Sequence, residues 1–183
     1  YVKPSGNLTI TDNSEAGNGA IINNGDIAIG NYGTVIIENG TFSCGENTPV
    51  NEAAALFNFY YNSTTYGKTT INNGTLDVVW NCGELAVNGG ELKHVNNSGS
   101  AAISGEKTII GDVIAQDGRD AADVEGAGTL TITDGIFTGT FTADDSDAAI
   151  ISGGTFAINP AAYVVKDYVA VENSDKTYTV VPE

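Results

Sequence analysis

A short phrase recurs along this 183-residue chain, and it constrains the fold more strongly than any single residue does. Each copy begins with two residues that are mostly aliphatic, followed by a polar residue and by Asn, Asp or Gly. A Gly comes next, then usually a small or polar residue, and the copy ends on a large apolar one. The copies occupy residues 21–27, 36–42, 70–76, 86–92, 131–137 and 150–156. A phrase that repeats in this way predicts a structure built from repeated units.

The spacing of the motif glycines indicates the length of one unit. Successive glycines lie 15, 34, 16, 45 and 19 residues apart. The two long gaps are interpreted as two and three units with degenerate copies, so that one unit has about 15 to 19 residues. A unit of this length is typical of one coil of a solenoid stacked on its neighbours. The glycines are Gly25, Gly40, Gly74, Gly90, Gly135 and Gly154.

The units have the pattern of half-buried strands, because apolar and polar residues alternate within them, as at Val35 and Ile37 or Leu130 and Ile132. The Asn-Gly, Asp-Gly and Gly-Gly pairs between them supply positive-φ positions for sharp corners. The same pairs are typical of antiparallel hairpins, but a near-fixed interval between copies favours stacked coils. The sequence therefore predicts an all-β, right-handed parallel β-helix of roughly ten coils over residues 1–156.

The last part of the chain changes character after residue 156. Glycines disappear, and residues 162–171 and 176–181 have the pattern of two strands joined by a turn at 172–175. Solenoids need a terminal unit that closes the core and blocks edge pairing. Residues 157–183 are therefore predicted to form capping strands within the same domain.

The charge of the chain excludes some partners. Seven basic and 23 acidic residues give a net charge of −16, which opposes binding to nucleic acid and to anionic membranes. No stretch approaches the ~20 apolar residues of a membrane-spanning helix, so membrane insertion is not expected.

Two acidic runs are candidate calcium sites, because carboxylates and turn carbonyls are the ligands that Ca²⁺ prefers. Neither run matches an EF-hand loop or a Gly-Gly-x-Gly-x-Asp repeat, and a solvated acidic corner is the alternative for both. A structural Ca²⁺ is thus a hypothesis, and no other cofactor is expected. The runs contain Asp117, Asp120 and Asp123, and Asp144, Asp145 and Asp147.

The residues of a catalytic site are sparse. The chain has a single histidine, His94, and a single arginine, Arg119, which lies between acidic residues. Glycoside hydrolases need two carboxylates converging on one groove, and the run around Asp145 is the place that offers them. We expect a non-enzymatic protein, with a polysaccharide hydrolase or lyase as the alternative.

Aromatic residues cluster where the repeat is irregular. Tyr60, Tyr66 and Trp80 are predicted to form a surface for a ligand or partner, since exposed rings stack on sugars or on another subunit. The alternation of Phe57, Phe59 and Tyr61 favours side chains that point into the core, with a place on the surface as the alternative.

The two cysteines, Cys44 and Cys82, are out of register within their units and about two coils apart. Two steps of ~4.8 Å exceed the usual Cα separation of a disulfide. Both are expected to be free and buried, acting as small apolar residues.

The end of the chain resembles a known group of proteins. The matching residues are Ile151 to Phe156, Pro160, Tyr163-Val164 and Thr177 to Pro182. They resemble GGTF-type β-helical repeat proteins of gut-associated bacterial cell surfaces and of their phages.

This resemblance implies an extracellular protein and carries no catalytic residues across. It implies a structural or display module on a bacterial surface, where it would be adhesin-like, or on a virion, as a decoration or fibre protein. The implied partners are a glycan or host-surface ligand and, on a virion, capsid or tail proteins in a homotrimeric assembly. Any specificity is predicted where the repeat breaks down, between residues 44 and 68 and between 104 and 125.

Overall fold

The computed structural model describes residues 1–14, 19–44, 53–116, 128–144 and 147–183. The elements within these ranges are strands and one short 3₁₀ helix, η1, at Ala161–Tyr163. In chain order the strands are β1 (Asn7–Ile10), β2 (Ala20–Ile22), β3 (Ile27–Asn31), β4 (Thr34–Ile37), β5 (Thr41–Ser43), β6 (Ala54–Asn58), β7 (Tyr60–Asn62), β8 (Thr65–Tyr66), β9 (Lys68–Ile71), β10 (Thr75–Asn81), β11 (Glu84–Val87), β12 (Glu91–Asn97), β13 (Ser100–Ile103), β14 (Ile109–Ala115), β15 (Thr129–Ile132), β16 (Ile136–Phe137), β17 (Phe141–Ala143), β18 (Ala149–Ile151), β19 (Thr155–Phe156), β20 (Tyr168–Glu172) and β21 (Tyr178–Pro182).

Two parallel sheets hold most of these strands, so the prediction of an all-β chain with parallel pairing is confirmed. The smaller sheet has seven strands in the order β1-β4-β9-β11-β13-β15-β18. The larger sheet has twelve, with β2-β5-β10-β12-β14-β16-β19-β21-β20 as its main order and β3, β6 and β17 beside this path. The chain alternates between the two sheets, and equivalent positions of successive copies pair in register, as in Val35↔Thr69 and Leu85↔Ala101. Among the described residues between 7 and 156, all strands pair with one another in parallel except those of the hairpin β7–β8, which excludes an antiparallel meander for this part of the chain.

The number of units is smaller than predicted. The smaller sheet has seven rungs rather than roughly ten, because β4 pairs directly with β9 across the 34-residue gap between Gly40 and Gly74. The 45-residue gap likewise holds two units, since β11 pairs with β13 and β13 with β15. The extra length of the 34-residue gap includes the hairpin β7–β8. The residues that the spacing assigns to a degenerate copy therefore include an insertion. At ~4.8 Å per step, seven rungs span roughly 30 Å.

The core lies between the two sheets and consists of columns of equivalent residues. The final large apolar residue of each copy after the first faces inward from the larger sheet, and an aliphatic residue faces it from the smaller one. Stacking buries side chains that one unit alone would leave exposed, at roughly 25 cal/mol per Å² of apolar surface. The two columns are Phe42, Leu76, Leu92, Ile110, Phe137 and Phe156, and Ile37, Ile71, Val87, Ile103, Ile132 and Ile151.

We call one edge of the stack the glycine corner, where the chain passes from the smaller sheet to the larger. Its glycines have positive φ, between +95° and +120°, as the sequence predicts. The prediction is wrong for one motif glycine, Gly25, which is not among the positive-φ residues. A Cβ at Gly74 would lie 2.7 Å from the carbonyl oxygen of Gly40, and one at Gly90 would lie 2.6 Å from that of Gly74. Both the dihedral angle and the stacking therefore require glycine. The glycine corner comprises Gly40, Gly74, Gly90, Gly135 and Gly154.

The chain ends in an antiparallel hairpin of β20 and β21. Strand β21 pairs antiparallel with β19 through Phe156↔Tyr178, and Val180 is buried against the core. The first strand of the hairpin begins at Tyr168 rather than at residue 162, because Ala161–Tyr163 form η1. The hairpin covers the last parallel edge of the larger sheet.

Candidate functional site

The opposite edge of the stack is held by a buried ladder of asparagine side chains, which we call the asparagine corner. Asn31, Asn58, Asn81 and Asn97 are fully buried where the chain passes from the larger sheet to the smaller. The Nδ2 atom of each donates to the Oδ1 atom of the next, at 2.9, 2.8 and 2.7 Å. The ladder joins four successive rungs through side chains.

The same amides satisfy the backbone of the turns. The Oδ1 atoms of Asn31 and Asn81 accept from the N–H two residues on, at 2.8 and 3.2 Å. The Nδ2 atom of Asn58 donates to the carbonyl of Glu84 at 2.7 Å. Buried polar groups cost stability unless they are hydrogen-bonded, and here they are.

This ladder was not predicted from the sequence, although it leaves a signal there. Asn-x-Gly occurs at residues 31–33, 81–83 and 97–99, and the last two copies are 16 residues apart. The repeat length therefore applies to the asparagines as well as to the motif glycines. At Asn58 the signal is hidden, because the hairpin β7–β8 separates it from Gly67.

A row of rings, the aromatic stack, lies outside the core beside the asparagine corner. Phe59 stacks on Tyr32 at 4.5 Å between centroids and on Phe57 at 4.1 Å. Tyr1 continues the row on one side at 6.1 Å from Phe59, and Trp80 on the other at 5.5 Å from Phe57.

The backbone beneath the row is shaped to receive a ring. A Cβ at Gly30 would lie 2.4 Å from Cε1 of Tyr1, so the ring of Tyr1 rests directly on the glycine. Gly30 and Phe57 are paired in register on β3 and β6. The absence of a side chain at Gly30 thus allows the stack to extend to Tyr1.

The expectation that Phe57, Phe59 and Tyr61 point into the core is wrong. Leu56 and Asn58 face the interior, both with 0% exposure, whereas Tyr61 is 71% exposed. Leu56 pairs with the buried Val79, which fixes the orientation of β6. The alternation of inward and outward side chains was therefore predicted correctly, but the wrong set of residues was assigned to the core.

Tyr60 and Tyr66 lie on the hairpin β7–β8 and stack on each other at 6.3 Å. The hydroxyl of Tyr66 donates to Oε1 of Glu84 at 2.7 Å, and Lys68 Nζ lies 3.0 Å from Oε2 of Glu84. Lys68 also lies 4.9 Å from the centre of the Tyr66 ring, and its pKa is raised, chiefly by the hydrogen bond to Glu84. The three predicted surface residues thus fall into two groups, with Trp80 in the aromatic stack and the tyrosines on the hairpin.

A polar strip crosses the outer face of the larger sheet. Lys93 Nζ lies 2.6 Å from Oδ1 of Asp77, and His94 Nδ1 lies 4.0 Å from Oδ2 of Asp112. Asp112 Oδ1 accepts from both the N–H and the hydroxyl of Thr140, and these bonds lower the pKa of Asp112. The single histidine is therefore placed beside a carboxylate that is already hydrogen-bonded.

Most of the predicted calcium ligands lie outside the described residues, namely Asp117, Asp120, Asp123 and Asp145, as does Arg119. Asp144 and Asp147 are described, and the Asp144 N–H donates to the carbonyl of Ala115 at 3.0 Å. Within the described part of the chain, no three His, Cys, Asp or Glu side chains are grouped so that they could hold a metal ion.

Both cysteines are free, as predicted. Cys82 is buried, with Sγ 3.6 Å from Oγ of Ser98. Cys44 is only half-buried, contrary to expectation, and its pKa is raised by desolvation and by the nearby charge of Asp77.

The chain matches no protein-family model, no curated protein and no solved structure. Among the described residues, no helix is long and apolar enough to cross a membrane.

Proposed function

We propose that the chain is a right-handed parallel β-solenoid that acts outside the cell as a rigid, non-enzymatic display module, on a bacterial surface or on a virion. This proposal rests on one observation, the continuous stack of parallel rungs. Its core is buried, and side chains of the asparagine corner join four of its rungs by hydrogen bonds. Such a stack presents its outer faces at fixed positions, which is what a display scaffold requires.

The charge of the chain suits the same role. A stack of parallel strands exposes open sheet edges and long flat faces, which are prone to pair with other chains. A net charge of −16 makes copies of the chain repel one another. Acidity thus favours solubility outside the cell, and a dedicated metal site is not needed to account for it.

The aromatic stack and the tyrosine pair are the surface that we propose for a glycan or host-surface ligand. Aromatic rings pack on the apolar faces of sugars, while hydroxyl and charged groups orient the sugar hydroxyls. Tyr1 and Tyr61 are well exposed at this end, and Glu84 and Lys68 supply polar atoms beside Tyr66.

Binding can be followed through Trp80, the single tryptophan of the chain. The purified chain would be titrated with a panel of bacterial and host polysaccharides while tryptophan emission is recorded. We expect saturable changes with at least one polysaccharide, weakened by Tyr66→Ala and unaffected by Val171→Ala, which removes an exposed side chain of the C-terminal hairpin.

Two outcomes would contradict the proposal. One is the absence of saturable binding to any member of the panel, which removes the ligand surface. The other is a steady release of reducing ends from a bound polysaccharide, which would favour the enzyme. Light scattering on the same sample distinguishes the two locations, because a homotrimer supports the virion and a monomer supports the cell surface.

A further inference from the structure

Five Asn-Gly pairs occur in the chain, and each is a potential site of spontaneous deamidation. The backbone nitrogen of the glycine attacks the carboxamide carbon of the asparagine, ammonia leaves, and a cyclic succinimide forms. Water then opens the ring to aspartate or isoaspartate, so no other reactant is needed. The step requires a mobile carboxamide, an unengaged glycine N–H and room for the ring. The pairs begin at Asn18, Asn24, Asn39, Asn73 and Asn88, and Asn18 lies outside the described residues.

At Asn39 the carboxamide is held from both sides. Its Oδ1 atom accepts from the N–H of Asp12, and its Nδ2 atom donates to the carbonyl of Asp12 at 3.0 Å. These bonds join Asn39 to a segment 27 residues upstream. Rotation of the carboxamide toward Gly40 would break both of them.

At Asn88 the carboxamide belongs to an exposed polar ladder. Its Nδ2 atom donates to Oδ1 of Asn72 at 3.0 Å, and its Oδ1 atom accepts from the hydroxyl of Ser104 at 3.3 Å. These exposed bonds are weaker restraints than those at Asn39, but they act on both ends of the amide.

At two pairs the attacking glycine N–H is occupied. The N–H of Gly19, which follows Asn18, donates to Oδ2 of Asp12 at 2.7 Å. The N–H of Gly25 donates to Oδ1 of Asn23 at 3.0 Å. This hydrogen bond orients the nitrogen toward the preceding side chain and away from Asn24.

Asn73 has none of these restraints. Its side chain is exposed, and within the described ranges neither its carboxamide nor the N–H of Gly74 has a hydrogen-bonding partner. Asn73 and Gly74 also border an open groove of about 430 Å³ that admits water. Asn39 and Gly40 line the same groove, so it is the free carboxamide that distinguishes Asn73 from Asn39. We propose that Asn73 is the selective deamidation site of the folded protein.

The site lies where a lengthened backbone is poorly tolerated. Isoaspartate inserts a methylene into the main chain next to Gly74, which is stacked tightly between Gly40 and Gly90 in the glycine corner. Strain in such a position is relieved by displacing the rung. Conversion also adds one negative charge to a chain that already carries −16. Deamidation of Asn73 should therefore loosen the packing of the neighbouring rungs.

The test is peptide mapping by mass spectrometry after incubation of the folded, full chain at mildly alkaline pH below its unfolding temperature. We expect Asn73 to convert several-fold faster than Asn18, Asn24, Asn39 and Asn88, with part of the product as isoaspartate. In denaturant the five rates should become similar, which would show that the fold imposes the selectivity.

Two variants sharpen the result. Asn23→Ala frees the N–H of Gly25 and should raise conversion at Asn24 several-fold while leaving Asn73 unchanged. Asn73→Gln removes the Asn-Gly pair. It should therefore prevent the loss of thermal stability that we expect of the wild-type chain on incubation. Equal rates at the five pairs in the folded protein, or fastest conversion at any pair other than Asn73, would overturn the proposal.

Discussion

The asparagine corner and the glycine corner connect the same two sheets, yet they are built in opposite ways. At the asparagine corner, buried side chains fill the turn and bond from rung to rung. At the glycine corner, side chains are absent and the backbones of successive rungs approach closely. The first corner depends on contacts between distant residues and the second on the conformation of single residues. The predictions below test this difference.

The largest effect is expected for Asn81→Ala. Asn81 donates to Asn97 Oδ1 and to the carbonyl of Ser100, and it accepts from Asn58 and from the Gly83 N–H. Its removal leaves several buried groups unpaired, so the free energy of unfolding should fall by about 3 kcal/mol or more. Chemical denaturation measures this change.

The control for that experiment is Asn88→Ala. Asn88 belongs to a similar ladder that is exposed to solvent. Water replaces its partners, and the loss should stay near about 0.5 kcal/mol. Equal losses for the two variants would show that burial is not what gives the asparagine corner its strength.

A somewhat smaller loss is expected for Gly74→Ala. The new side chain meets a φ of +117° and a carbonyl oxygen at 2.7 Å, which should cost about 2 to 3 kcal/mol. Gly25→Ala is the matched change, because Gly25 is not among the positive-φ glycines and its new Cβ would lie 3.4 Å from the nearest atom, Oδ1 of Asn23. That variant should change the free energy of unfolding by less than about 0.5 kcal/mol. A Gly74→Ala protein as stable as Gly25→Ala would refute the conformational explanation of the glycine corner.

The aromatic stack extends the comparison to the outside of the asparagine corner. Phe59 contacts the rings of Tyr1, Tyr32 and Phe57, so Phe59→Ala should lower the free energy of unfolding by about 1 to 2 kcal/mol. Tyr61→Ala removes a ring that is 71% exposed and should be nearly neutral. If both variants are neutral, the stack does not reinforce the corner.

The smallest effect concerns Asp112, on the sheet between the corners. Its pKa lies below the ordinary value of 3.8 because Thr140 donates to it, so the bonds stabilise the fold above that pH. This stabilisation is lost as the pH falls through the lowered pKa of the folded state. Thr140→Val should move the pKa of Asp112 back toward 3.8, as followed by NMR titration. Asp175, whose pKa is lowered by Thr177, should not respond to the change; a shift at both residues would point to a general change of fold.

How far the sequence predicts each region follows from the range of the interactions. Gly74 and its equivalents were recognised because positive φ is a property of one residue and its neighbours. The asparagine ladder was missed because each bond joins residues 16 to 27 positions apart, and the pairing depends on rung order. The predicted number of rungs was wrong for a related reason. An insertion such as β7–β8 and a degenerate unit both lengthen the gap between motif glycines, so spacing alone does not distinguish them.

The candidate surface shows the same limit. The sequence located the aromatic cluster and singled out Tyr60, Tyr66 and Trp80. It did not place Phe57 and Phe59 outside the core, because the orientation of β6 depends on Leu56 packing beside Val79 of a later rung.

By itself, then, the sequence determined the class of structure: β strands in repeated parallel units, turned by glycines at regular intervals and acidic overall. Only the tertiary structure decided how many rungs there are, which face of β6 is buried, and that amide side chains hold one corner. The physical reason is that backbone preferences and periodicity act over a few residues. Register, burial and side-chain ladders arise only when one unit meets the next.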